Sequence, residues 1–107
     1  METLSEKNCI PCQGGVPPLS ESAQKELLAQ LNGWEIVDSH HLYKPYRFKN
    51  FLEALEWVNK IAKIAEEEGH HPDLELGWGY VNVKVFTHKI DGLTESDFVF
   101  AAKVDRA

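Results

Sequence analysis

The sequence predicts an α+β domain, a four-stranded antiparallel sheet with helices packed on one face in the order α-β-β-α-β-β-α. Three features carry that reading. One segment, 50–69, repeats apolar residues every 3.6 positions between a capping asparagine and a glycine stop. Four shorter segments alternate apolar and polar residues, as half-buried strands do. They come as two neighbouring pairs separated by helical stretches, an order that gives hairpins with helices on one side.

Residues 1–19 contain Pro11, Gly14, Gly15, Pro17 and Pro18 and read as an irregular leader; 20–107 read as a single domain. Ser20 or Ser22 can cap a first helix that runs to about Leu31, with Leu27, Leu28 and Leu31 apolar and Gly33 just beyond it. Trp34 to Val37 alternates as a short strand, Asp38 to His41 suits a turn, and Leu42 to Phe48 resumes as a strand. Pro45 cannot donate to a ladder, so it favours a sheet edge or a bulge.

The long helix follows. Asn50 is its N-cap and Glu53, three residues on, completes a capping box. Phe51, Ala54, Leu55, Val58, Ile61, Ala62 and Ala65 form one stripe, and Gly69 offers a left-handed stop. Leu52, Trp57 and Ile64 fall off that stripe and suggest a subunit interface. Leu74 to His88 alternates again, with Gly77 and Gly79 bracketing Trp78 at a tight reversal. Asp91-Gly92 breaks the last strand, and Thr94 to Asp97 starts a final helix carrying Phe98, Ala101, Ala102 and Val104.

Bulk properties narrow the function. The 107 residues suffice for one domain, and 43% hydrophobic residues can build its core. A small domain buries a limited share of its surface, so a homodimer or homotetramer is expected. The formal charge of −6, from 17 acidic and 11 basic side chains, opposes nucleic acid, whose phosphates need cationic contacts. No apolar run approaches the roughly 20 residues that cross a bilayer. The polar start, Met1 to Lys7, lacks a signal-peptide stretch, so no membrane partner and a cytoplasmic location are expected. Cys9 and Cys12 supply only half a tetrahedral zinc shell, and no catalytic role is assigned to them.

Five histidines carry the chemistry. His40-His41 lies in the turn beside Asp38 and Ser39 and reads as a solvated hairpin tip. His70-His71-Pro72 follows the C-terminus of the long helix, where the dipole and Glu66, Glu67 and Glu68 favour positive charge. Pro72 holds His71 extended. His88 ends an apolar strand between Thr87 and Lys89. Three rings that titrate near neutrality, with no hydroxyl or thiol nucleophile beside them, suggest proton transfer. Adjacent histidines on an extended backbone point apart and chelate one ion poorly, and no His-Glu-x-x-His spacing occurs. Acid–base work is therefore favoured over a metal site.

The spacing Glu66, three residues, His70-His71-Pro72, five residues, Trp78, nine residues, His88, eight residues, Asp97 resembles the pattern of the pterin-4a-carbinolamine dehydratase family. Gly33-Trp34, Phe48-Lys49-Asn50-Phe51, Thr87-His88 and Gly92-Leu93 extend the likeness over about residues 20 to 105. The resemblance implies dehydration of a 4a-hydroxytetrahydropterin to quinonoid dihydropterin in tetrahydrobiopterin recycling. It implies no cofactor, since no redox change occurs. It implies His70 and His88 as the proton-donating and proton-accepting pair, in either order, and His71 as a pterin-holding group. Pro72, Thr87, Lys89 and Ile90 would line the slot, and Trp34 would stack on the pterin. Glu66 and Asp97 would support the histidines, although Thr94-Glu95-Ser96-Asp97 also has the form of a capping box. Some relatives act as dimerisation partners of a transcription factor, so a protein-binding module with little turnover is the alternative.

Overall fold

The computed structural model describes residues 4–7 and 18–107. Helix α1 is Glu21–Leu28, strands β1 and β2 are Glu35–Val37 and His41–Arg47, and helix α2 is Phe51–Glu68. Strands β3 and β4 are Asp73–Gly77 and Tyr80–Val85, and helix α3 is Glu95–Asp105. The sheet is antiparallel throughout, in spatial order β1-β2-β4-β3. This is the α+β order that the sequence patterns predict.

Local chemistry sets most of the boundaries. The Ser20 side chain accepts from the Ala23 N–H at 3.3 Å and starts α1. That helix ends at Leu28 rather than Leu31, because Gln30 and Leu31 bond to the carbonyls three residues back, in the tighter 3₁₀ manner. Asp38 and Ser39 both adopt positive φ, the mirror-image turn whose twist suits a hairpin, so His41 already belongs to β2. Asn50 Oδ1 accepts from the Glu53 N–H at 2.9 Å, and Gly69 closes α2 at φ 64°.

Pro45 occupies an internal strand, since β2 lies between β1 and β4. The expected edge is nevertheless there locally. β1 pairs only with His41 to Tyr43, so the outer flank of β2 is bare beside Pro45, and its missing N–H leaves no ladder gap.

One sheet face carries the core. Leu42, Val81, Val83 and Val85 are fully buried against Ala54, Ile61 and Ala65 of α2 and against α3. α3 is buried almost all round through Phe98, Val99, Phe100, Ala101 and Val104, which makes it a core helix. Each of these valines and phenylalanines contributes about 1.5–3 kcal/mol on burial, so α3 anchors the fold. The Leu4–Glu6 turn of the leader joins it: Leu4 is buried, and Lys103 donates to the Ser5 carbonyl at 3.0 Å.

The apolar stripe of α2 needs correction. Phe51 and Leu55 are exposed, whereas Trp57 and Ile64 are half-buried and pack partly on the core. The cause is the reach of Trp57, whose ring centroid lies 4.2 Å from Tyr46 and 5.5 Å from Phe48. This pulls the buried face of the N-terminal half of α2 toward β2. Of the three residues read as interface, Leu52 alone stays largely exposed.

Candidate active site

A cleft of about 240 Å³ opens where the end of α2 meets the end of β4, lined by Gly69, His70, His71, Phe86, Thr87, His88 and Lys89. Two stretches of chain that the sequence cannot bring together therefore converge. Gly69 turns the chain out of α2 into β3, which delivers His70 and His71. Beyond β4, Thr87 and Gly92 pair as an isolated bridge, with N–H to carbonyl distances of 2.8 and 3.4 Å. Between them His88–Ile90 forms a single 3₁₀ turn that presents His88 and Lys89.

The three rings sit in different surroundings. His70 is buried, and its Nε2 lies 2.6 Å from Oδ1 of Asp97, which is itself fully buried. The other oxygen, Oδ2, accepts from Thr87 Oγ1 at 2.8 Å and from the Thr94 N–H at 2.8 Å. Asp97 is thus both the helix cap and the partner of His70; the two roles use different oxygens. A buried carboxylate with this many donors is satisfied, and removing any donor would leave charge uncompensated. His71 is 62% exposed and pairs with Glu66, which is 77% exposed, so water screens that pair. His88 is half exposed, with its ring centroid 4.2 Å from that of Phe86 and Nε2 3.6 Å from Asp73 Oδ2.

Thr87 and Lys89 join the histidines at the cleft, Thr87 through its hydroxyl on Asp97. Pro72 and Ile90 flank it in the chain but stand outside its lining. Trp34 is elsewhere. It is buried in the core, and its indole N–H donates to Asp105 Oδ2 at 2.9 Å, so neither ring face nor N–H is offered to the cleft. Trp78, on the β3–β4 reversal, is 71% exposed.

Three contributors gave no local signal. Asp73 reaches His88 through the β3–β4 pairing, and Phe86 backs the same ring. The third is His40, which is not a solvated tip. Its ring packs 4.5 Å from Phe86, and its Nε2 lies 2.7 Å from Asp91 Oδ1. Burial, followed by the nearby charges of Lys84 and His40, lowers the pKa of its neighbour His41. Among the described residues no three His, Cys, Asp or Glu side chains stand together as a metal shell. Cys9 and Cys12 lie outside the described residues.

Comparison with known proteins bears on this geometry. The family profile described as Pterin 4 alpha carbinolamine dehydratase matches residues 17–107. A relative from Rubrobacter xylanophilus is 61% identical over 106 residues, covering 99% of each chain; its provisional name is pterin-4-alpha-carbinolamine dehydratase. One from Rickettsia canadensis, provisionally named alike, is 57% identical over 98% of this chain and 97% of its own. Among solved structures, the transcriptional coactivator/pterin dehydratase from Brucella melitensis superposes with a TM-score of 0.79. It is 33% identical and the match covers 83% of this chain and 96% of that one. A pterin dehydratase-like protein described as a RuBisCO assembly factor in the alpha-carboxysome is 26% identical, with a TM-score of 0.60 over 70% of this chain and 88% of that one.

Proposed function

The chain belongs to the pterin 4 alpha carbinolamine dehydratase family, and from that premise we propose that it expels water from 4a-hydroxytetrahydropterin at the histidine cleft. The observation that supports this reading most is that His70, fixed by a buried carboxylate, and His88 share one cleft.

The chemistry requires two proton movements. The C4a–O bond breaks as hydroxide receives a proton and leaves as water. The N5 lone pair fills the vacated position, and N5–H then gives up its proton, leaving quinonoid dihydropterin. Atoms balance with one proton donated and one accepted. When His70 Nε2–H donates to Asp97, the neutral ring presents Nδ1 as an acceptor, the form a base takes. His70 is accordingly assigned the N5 proton. His88, on the opposite strand end, supplies the proton to the departing oxygen. His71 and Lys89 hold the heterocycle at the rim, and Glu66 steadies His71. No electron is transferred, so the reaction itself calls for no redox cofactor. The setting is cytoplasmic, with the net charge of −6 turning nucleic acid away.

The test is direct. The 4a-hydroxytetrahydropterin is generated by a coupled aromatic amino acid hydroxylase, and its decay is followed by ultraviolet absorbance. Wild type accelerates the decay, and His70→Ala and His88→Ala each lose at least about tenfold, within the usual contribution of a general acid or base. Unaltered rates in both variants would remove these rings from the mechanism.

A protein-binding module is the second reading, favoured by four exposed apolar side chains. Phe51, Leu52 and Leu55 lie in the first turns of α2, and Trp78 lies on the adjacent reversal, joined to it by the Phe48 N–H to Gly79 carbonyl bond of 2.8 Å. The same surface can serve a homodimer or homotetramer. Partner capture together with an absence of turnover would favour the module.

A further inference from the structure

The segment that carries His88 is a small closed loop, and a group outside it holds its returning limb. Its neck is fastened by the Thr87–Gly92 bridge. Inside, the Ile90 N–H bonds to the Thr87 carbonyl at 3.3 Å and the Asp91 N–H to the His88 carbonyl at 3.2 Å. None of these bonds fixes the direction in which the loop leans away from the sheet, nor the rotation of the His88 ring.

Asp73 Oδ2 faces the His88 ring at 3.6 Å, and His40, on the β1–β2 turn, bears on both the lean and the rotation from the other end of the loop. Its Nε2 lies 2.7 Å from Oδ1 of Asp91, the residue that ends the turn beside the Gly92 side of the neck and sits in the left-handed region at φ 50°. Its ring lies 4.5 Å from Phe86, and Phe86 in turn lies 4.2 Å from His88. Phe86 therefore touches two imidazoles, with His40 tilted by 42° and His88 by 40° to its ring. His40 is itself held by His41, whose Nδ1 is 3.1 Å away. The Nδ1–Nδ1 contact carries one hydrogen bond between the two rings, and burial holds His41 toward its neutral form. The groups facing the pair are then Asp91, His41 and, beyond His41, Lys84 and Asp38.

We propose that His40 is a positioning residue for the dehydration: through Asp91 and Phe86 it sets the orientation of the His88 ring in the cleft. The proposal rests on the dehydratase reading for its kinetic consequence, but its structural content does not. An exposed ion pair alone contributes little. Here the His40–Asp91 contact acts with the two Phe86 ring contacts on a loop of only a few residues, so a small rotation of the loop moves His88 directly. A catalytic ring displaced by a fraction of an ångström loses much of its effect.

Two substitutions isolate the effect. Asp91→Gly keeps a residue suited to positive φ and removes the carboxylate. His40→Gln removes both the ion pair and the ring contact. In each, the His88 ring-proton resonances, which lie under the ring current of Phe86, are followed by nuclear magnetic resonance alongside steady-state kinetics. The expected result is a shift of the His88 resonances in both variants. With it, kcat falls about three- to tenfold while KM changes less than twofold, the pattern of an interaction expressed in the transition state. The double variant is expected to be no worse than His40→Gln, since both act through one linkage. Unmoved His88 resonances in both variants overturn the proposal, and so does an unchanged kcat in an active enzyme. Absence of turnover in the wild type would instead overturn the dehydratase reading, leaving the resonances to decide the clamp.

Discussion

Partial burial beside positive charge makes a histidine harder to protonate. His41 shows the effect away from the cleft, where burial and the charges of Lys84 and His40 depress its pKa below the usual 6.5. Between the depressed folded value and 6.5 the unfolded chain binds more protons than the folded one, so stability rises with pH across that window. Stability is full above 6.5 and is lost as pH falls below it. The expected outcome is that His41→Asn flattens the decline in urea midpoint between pH 7 and pH 5, measured by circular dichroism at both. At the same scale the sequence set His70, His71 and His88 apart, and they do line one cleft, but of their contacts only the resemblance pointed to Glu66 and Asp97. His70 and Asp97 are 27 residues apart, and Asp73, Phe86 and His40 reach His88 only through strand register and ring stacking. No spacing rule encodes such contacts. Trp34 went astray for a related reason: an aromatic beside a glycine reads alike whether it faces a ligand or the carboxylate of Asp105.

Elements were read most faithfully where their ends carry their own chemistry. Asn50 and Gly69 bracket α2, and Ser20 and Thr94 start the other two helices, each through bonds to groups within a few residues. Faces were read less well, because the buried side of a helix is decided by what it meets, as Trp57 on Tyr46 shows. α3 joins the two kinds of information at Asp97. Replacing it with alanine removes a cap and leaves His70, Thr87 and the Thr94 N–H without their acceptor. Each buried donor left without its acceptor costs about 1–3 kcal/mol. Asp97→Ala is therefore expected to lower the melting temperature by ten degrees or more, on the scale of about 4–8 °C per kcal/mol for a domain of this size. Differential scanning calorimetry measures the shift, and a loss below about 1 kcal/mol would assign Asp97 to capping alone.

At the level of the whole molecule, the cleft depends on two ends of α3 being held at once. Asp97 serves the N-terminal end at the histidines, and Asp105 serves the other. There Trp34 donates to Oδ2 at 2.9 Å, Lys44 donates to Oδ1 at 2.8 Å, and the Tyr46 hydroxyl donates to Oδ1 as well. Burial, reinforced by that carboxylate, raises the Tyr46 pKa far above that of an ordinary phenol. The three bonds span 71, 61 and 59 residues of chain. Closing loops of that length has to be met by entropy before any bond rewards it, so such contacts form after the hairpins and α2. Asp105→Ala should consequently leave the refolding rate within about twofold and speed unfolding several-fold, as stopped-flow fluorescence of the tryptophans would record. One carboxylate thus acts as a kinetic latch, governing how long the native state lasts once it has formed more than how fast it is reached.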